Sequence, residues 1–308
     1  MNMSPLVCLI LSVVFTSCSI EDTLDVSEVN FTTEIREEQI EETILNVAYG
    51  LHDQQVFDVY LPHGRTTTNT KVLIVVHGGS WMGGDKNSLT NFVLDLKEKH
   101  PNHAIVNINY VLGSETHYAF PNQFLDINKV LNFIKLRKQE YQIKPEFGLI
   151  GSSSGGQLAL QYAYKYDLQN DVKFVGSFGG PTDFLDSYYE ENTNTEQFEL
   201  LIDKEYYYNT MSDWTIDIDD IDFLKLLSPA YEVSEESTPT ILFYGEQDTI
   251  IPLSNGEMLN DQLVLHNIST SFNIFQGGHG GWNAESYKET MHVILEEFID
   301  AHLYVSDF

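Results

Sequence analysis

The sequence predicts an α/β fold: a mostly parallel, eight-stranded sheet flanked by helices, with one small cap insertion. Three features predict it. Short runs rich in β-branched residues recur along the chain, several of them too continuously apolar to have a solvated face. Helical periods lie between the later runs, and strand–helix alternation leads to a parallel sheet covered on both sides. One long acidic and aromatic segment breaks that alternation.

The N-terminus reads as an address. Residues 6–15 form an apolar stretch of signal-peptide length, interrupted only by Ser12. Phe15, Thr16, Ser17 and Cys18 then resemble a bacterial lipobox, with cleavage before Cys18 and lipid on its thiol. The segment 1–5 lacks Lys and Arg, and Phe15 stands where Leu is usual, so an ordinary secretory signal is the alternative. Cys8 lies in the segment to be removed; with Cys18 lipidated, the mature chain has no free thiol, disulfide or thiolate metal site. Residues 18–45 carry nine acids and one Arg, which predicts a solvated spacer. A short helix over 34–42 is the other reading. The expected organisation is therefore a lipoprotein signal over 1–17, a spacer over 18–45 and a folded domain over 46–308.

Eight strands are expected, at 43–48, 55–61, 71–77, 104–110, 147–151, 173–178, 240–245 and 271–275. The third, KVLIVVH, is nearly all β-branched, the mark of a strand buried on both faces. Phe124, Ile127, Val130, Leu131 and Ile134 recur at helical spacing, as do Leu158, Ala159, Tyr162 and Ala163. Met291, Ile294, Phe298 and Leu303 suit a final helix. The segment 184–222 holds twelve acids, one Lys and several aromatic residues. It is too long for plain loop, and we expect a small helical cap over the strand ends, about 184–228. Its Asp217–Asp222 run lacks the glycine and terminal Glu of an EF-hand loop, so no metal site is expected there.

Composition excludes some functions. The formal charge of −30 repels phosphate backbones, which argues against nucleic-acid partners and anionic substrates. No apolar run reaches 18 residues, so the only expected membrane contact is a lipid anchor at Cys18.

The chemistry-bearing motifs all follow expected strands. Gly151, Ser152, Ser153, Ser154 and Gly155 fit G-x-S-x-G, a strained strand-to-helix turn that exposes the central Ser hydroxyl. Spacing selects Ser153 as nucleophile. His77, Gly78, Gly79, Ser80 and Trp81 follow the third strand, where backbone N–H groups can face a developing oxyanion. The expected donors are the N–H groups of Gly79, Ser80 and Ser154, with His77 bracing the loop. A hydroxyl nucleophile needs a base, and the base an orienting carboxylate. Asp248 follows the seventh strand and His279 follows the eighth, in the order Ser, acid, His. Glu246 is the second choice of acid. His266, His292 and His302 also follow Asp248 but sit in helical segments. Trp81 and Trp282 are expected to line the substrate pocket.

HGGSW, GSSSGG, GEQDTIIP and GGHGG, in this order and spacing, resemble the α/β-hydrolase superfamily. Within it the chain is most similar to bacterial carboxylesterases with an HGG[GAS]W loop, including feruloyl-esterase-like and hormone-sensitive-lipase-like enzymes. The resemblance covers roughly residue 43 to the C-terminus. It implies hydrolysis of small-molecule or glycan esters through an acyl-enzyme, without metal or organic cofactor. The loop has HGGS where many relatives have HGGG, and Ser154 replaces a common Ala; both changes keep the backbone N–H. A serine peptidase, an aryl formamidase and a non-catalytic binding module are the competing readings.

Overall fold

The computed structural model describes residues 39–192, 202–211 and 219–306. Eight strands form one sheet: β1 (Glu42–Ala48), β2 (Val56–Leu61), β3 (Val72–Val76), β4 (Ala104–Ile108), β5 (Phe147–Ser152), β6 (Val172–Phe178), β7 (Thr240–Gly245) and β8 (Thr270–Phe275). Their spatial order is β1-β2-β4-β3-β5-β6-β7-β8. β2 is antiparallel to both neighbours, and every pairing from β4 to β8 is parallel. The mostly parallel sheet read from the sequence is the sheet observed.

Residues alternate along the central strands between two cores. Val72, Ile74 and Val76 of β3 join one cluster, Leu73 and Val75 the other. All five are buried, which is why the run carries no polar residue. α2 (Asn122–Leu136), α3 (Ser154–Gln161, continued by a π-helical turn over Tyr162–Tyr166) and α7 (Leu253–Leu265) cover the first face. α1 (Thr90–Lys99) and α8 (Glu285–Leu303) cover the second.

The topology dictates where a cleft can form. β3 and β5 are adjacent, with Val76 beside Gly151, yet the helices that follow them lie on opposite faces. The chain thus parts at the C-terminal ends of β3 and β5, the switch point at which open α/β sheets place their ligands. Between β6 and β7 the described residues include three short helices: α4 (Ser187–Asn192), α5 (Lys204–Met211) and α6 (Asp220–Leu226). The ends of this excursion meet at a neck, where Phe184 N–H donates to Ser228 Oγ at 2.9 Å. Ala230 N–H donates to the Thr182 carbonyl at 3.0 Å. Tyrosine hydroxyls tie the excursion to the body, Tyr206 to Asn122 at 3.0 Å and Tyr188 to the Thr249 carbonyl at 2.6 Å.

The spacer boundary needs correction. Residues 42–45 belong to β1, paired with β2, and 39–41 are not helical. Most β1 side chains are exposed on both faces, so backbone pairing holds an edge strand that lacks a strand's apolar pattern. The signal segment, Cys18 and most of the spacer lie outside the described residues, as does the start of the 217–222 acidic run.

Candidate active site

The site grows from the turn after β5. Ser153 has φ 53° and ψ −126°, an unfavourable conformation for a residue with a Cβ. Its neighbours allow it. A Cβ on Gly155 would lie 2.3 Å from the Val76 carbonyl oxygen, and one on Gly151 would lie 2.1 Å from that of Gly155. The spacing of the motif therefore records how closely α3 packs onto β3 and β5. Ser153 N–H donates to the Phe178 carbonyl at 2.8 Å, pinning the turn to β6.

Ser153, His279 and Asp248 come together although they leave three different strands. Ser153 Oγ is 2.8 Å from His279 Nε2, and His279 Nδ1 is 2.7 Å from Asp248 Oδ2. Gly179, after β6 with φ 61°, lies beneath the imidazole, where a Cβ would come within 3.4 Å of Nδ1 and Cε1. The Asp248 side chain is 1% exposed and that of His279 is 22% exposed. Burial works against the Asp248 charge. Hydrogen bonds from His279 and from the N–H groups of Ile250 and Ile251 outweigh it, holding the carboxyl below its ordinary pKa. An ionised carboxylate only accepts, so Nδ1 donates to it, leaving Nε2 free to accept the Ser153 hydroxyl proton. Glu246 is exposed, and its backbone N–H merely continues the β7–β8 ladder to Phe275.

The loop after β3 stands beside this row. Ser80 and Trp81 have φ of 50° and 61°, conformations that cost about 1–3 kcal/mol each and so need external support. The Trp81 carbonyl accepts from Gln123 Nε2 at 2.7 Å and from Gly113 N–H at 2.9 Å. His77 is buried and stacks on Tyr110 at 4.4 Å, and the Tyr110 hydroxyl donates to the His77 carbonyl at 2.9 Å. His77 Nδ1 is 2.7 Å from the Gly78 carbonyl oxygen. Burial lowers the His77 pKa more than that bond and Asp85 raise it, which suits a neutral brace rather than a proton carrier. Among the described residues, no acceptor engages the N–H groups of Gly79, Ser80 or Ser154. Those of Gly79 and Ser80 sit on exposed residues, and that of Ser154 opens α3. Such uncommitted donors are what an anion at the switch point requires.

The two tryptophans part company. Trp81 packs edge-on against Phe120 and Phe184, near the neck of the excursion. Trp282, expected in the pocket wall, is instead 5% exposed in the core of the opposite face, 4.7 Å from Phe178 and 5.6 Å from Phe92. Trp282 sits in a short 3₁₀ turn after His279 (Gly281–Asn283), and its indole joins the core that α1 and α8 cover. Tyr110 and Gln123 escaped the sequence reading. Tyr110 ends an apolar run and Gln123 opens a helical period, so each reads as an ordinary member of its element.

Over residues 57–263, more than half of the chain, the sequence matches the BD-FAE family. An arylacetamide deacetylase from Oryctolagus cuniculus is 34% identical over 122 residues, covering 37% of this chain and 29% of the relative. A versiconal hemiacetal acetate esterase from Dothistroma septosporum is 33% identical over 98 residues, covering 32% and 29%. The chain thus spans under a third of the length of these curated relatives. A truncated carbohydrate esterase from gut microbiota superposes with a TM-score of 0.65 at 19% identity, over 83% of this chain and 96% of that one. Esterase B from Lactobacillus rhamnosis gives 0.64 at 18% identity, over 85% of each chain. At such identity the structural likeness shows a shared α/β-hydrolase fold. The family match, spanning β2 through most of α7 and including the loops that carry Ser153, Ser80 and Asp248, places the chain in the BD-FAE family of α/β-hydrolase esterases.

Proposed function

We propose that the protein is a serine carboxylic-ester hydrolase working through an acyl-enzyme on small acyl or aryl esters, including those carried by glycans. The observation that carries this reading is the row Ser153 Oγ–His279 Nε2 at 2.8 Å and His279 Nδ1–Asp248 Oδ2 at 2.7 Å, beside uncommitted backbone donors. Ser153 attacks the ester carbonyl as His279 takes its proton. Asp248 fixes the tautomer and stabilises the imidazolium. The N–H groups of Gly79, Ser80 and Ser154 hold the tetrahedral oxyanion. His279 then protonates the leaving alcohol and later activates the water that releases the acid.

Neutral esters suit the charge of −30; the carbohydrate-esterase likeness favours esters carried by glycans, and the acetate-esterase relative favours short acyl groups. The lipobox-like 15–18 segment supports a lipid anchor at Cys18 and a place at the bacterial cell envelope, with 1–17 removed and the acidic residues up to β1 as spacer. The segment 184–228, closed at its neck, serves as cap to the hydrolase domain.

The test is Ser153→Ala assayed on p-nitrophenyl acetate. Loss of about 10⁴–10⁶ in kcat with the fold retained is expected. Activity near that of the unaltered protein contradicts the reading. The arylacetamide deacetylase relatives favour a second reading, cleavage of aryl amides by the same residues. Comparing p-nitrophenyl acetate with p-nitroacetanilide separates the two, and the ester is expected to be the better substrate.

A further inference from the structure

Gln157 occupies an unusual position. It lies four residues after Ser153 on α3 and is wholly buried, a polar side chain at a core-facing position, as is Gln161 one turn further on. Both ends of its amide are engaged. The Trp81 indole Nε1–H donates to Gln157 Oε1 at 3.0 Å, and Gln157 Nε2–H donates to the Leu227 carbonyl at 3.0 Å. The indole can only donate and the carbonyl can only accept, so chemistry fixes which way the amide faces. Nearby buried amides are less fully used, since Gln123 Oε1 and Gln161 Oε1 have no hydrogen-bond partner.

The three partners belong to three parts of the site. Trp81 ends the strained stretch whose φ of 50° at Ser80 and 61° at Trp81 presents the Gly79 and Ser80 N–H groups. Gln157 rides on the helix that starts at Ser154, the third donor. Leu227 caps α6 at the neck of the excursion, one residue before Ser228, and Trp81 packs edge-on 5.8 Å from Phe184 on the neck's other arm. A single side chain thus joins the donor loop, the nucleophile helix and the base of the cap.

We propose that Gln157 is a positioning residue: its amide sets the Gly79 and Ser80 donors in register with that of Ser154 and ties this register to the cap neck. The proposal rests on the serine-esterase reading. The oxyanion forms only after attack, so a misplaced donor loop weakens the transition state more than substrate binding. The effect falls on kcat, with KM little changed. Trp81→Phe keeps the ring and removes the indole donor; Gln157→Leu removes the acceptor.

The experiment measures kcat and KM on p-nitrophenyl acetate for Trp81→Phe, Gln157→Leu, the double variant and Gln161→Leu, with Ser153→Ala alongside. Gln161 is the control, because its Nε2 donates to the Leu226 carbonyl at 2.8 Å at the same neck while no bond joins it to Trp81. Each of the first two substitutions is expected to lower kcat about 10–100-fold, less than the ~10²–10³ for deleting a donor outright, with KM within about twofold. The double variant should be no worse than the worse single one, since both break the same bond. Gln161→Leu should lower stability and leave kcat within about twofold. Wild-type kcat in Trp81→Phe overturns the proposal, as does an equal loss in Gln161→Leu or a double effect equal to the product of the singles. Trp81→Phe decides alone if Gln157→Leu does not fold. An active Ser153→Ala protein instead defeats the serine-esterase reading itself.

Discussion

Among the described residues two histidine–aspartate pairs lie within 4 Å, and only one of them also reaches a serine hydroxyl. His279 bonds Asp248 at 2.7 Å and Ser153 at 2.8 Å, on a glycine-flanked loop at the C-terminal rim of the sheet. His292 sits in α8 with Nε2 3.6 Å from Asp95 Oδ2, beyond hydrogen-bonding range, and neither ring nitrogen has a hydrogen-bond partner. Its ring is 1% exposed and stacks on Phe92 at 5.8 Å, while Lys288 takes the Asp95 carboxylate at 2.6 Å. Burial outweighs Asp95 and lowers the His292 pKa. An acid near a histidine is therefore not a catalytic pair. What distinguishes the first pair is a carboxylate held by two backbone donors, a partly open imidazole and a hydroxyl on its far nitrogen.

The largest expected effect tests that distinction directly. His279→Ala should cost about 10⁴–10⁶ in kcat on p-nitrophenyl acetate, whereas His292→Leu should stay within about threefold. Comparable losses would erase the contrast. Next come the acids. Asp248→Asn should lower kcat by about 10⁴ through the wrong imidazole tautomer, and Asp95→Asn, losing one partly exposed ion pair, should leave kcat unchanged. Steady-state assays of the two purified variants decide.

Trp282 shares the Phe92 cluster with His292 and belongs to the inert region. Trp282→Ala should cost about 3–5 kcal/mol in urea unfolding while the folded fraction keeps its KM. A large KM change with little loss of stability would return the indole to the substrate pocket.

The smallest effect is the acid limb of stability. His100 and His103 pack against this same face, and burial lowers their pKa to about 3 and about 4. In the unfolded chain each returns toward 6.5, so the unfolded state binds protons first as pH falls. Their contribution to stability is complete above about pH 6.5 and is lost progressively toward pH 4 and below. Thermal unfolding across pH 4–7 should show this slope. His103→Gln, which can keep a donor toward the Leu303 carbonyl, should flatten it, and an unaltered slope would remove His103 from the account.

What was legible in the sequence follows the same divide. The central strands were readable because their apolar, often β-branched residues are buried on both faces of the sheet, and the Ser153 turn because close packing of α3 demands Gly151 and Gly155. Asp248 and His279 were readable because each follows a strand on a loop, while His292 fell within a helical period. Strand order was not legible, since nothing local says that β4 lies outside β3. α1 was missed: only Phe92, Val93 and Leu96 are buried, too few for a full stripe. Trp282 misled because a turn of three residues decides which side of the sheet it enters. Gln157 was hidden because its two partners lie 76 and 70 positions away.

The most direct measurement is labelling with a fluorophosphonate, read by mass spectrometry of the peptide that contains residues 151–157. The account predicts one adduct on Ser153, absent in Ser153→Ala and formed far more slowly in His279→Ala. An adduct on another serine, or an unmodified Ser153 in folded protein, would contradict it.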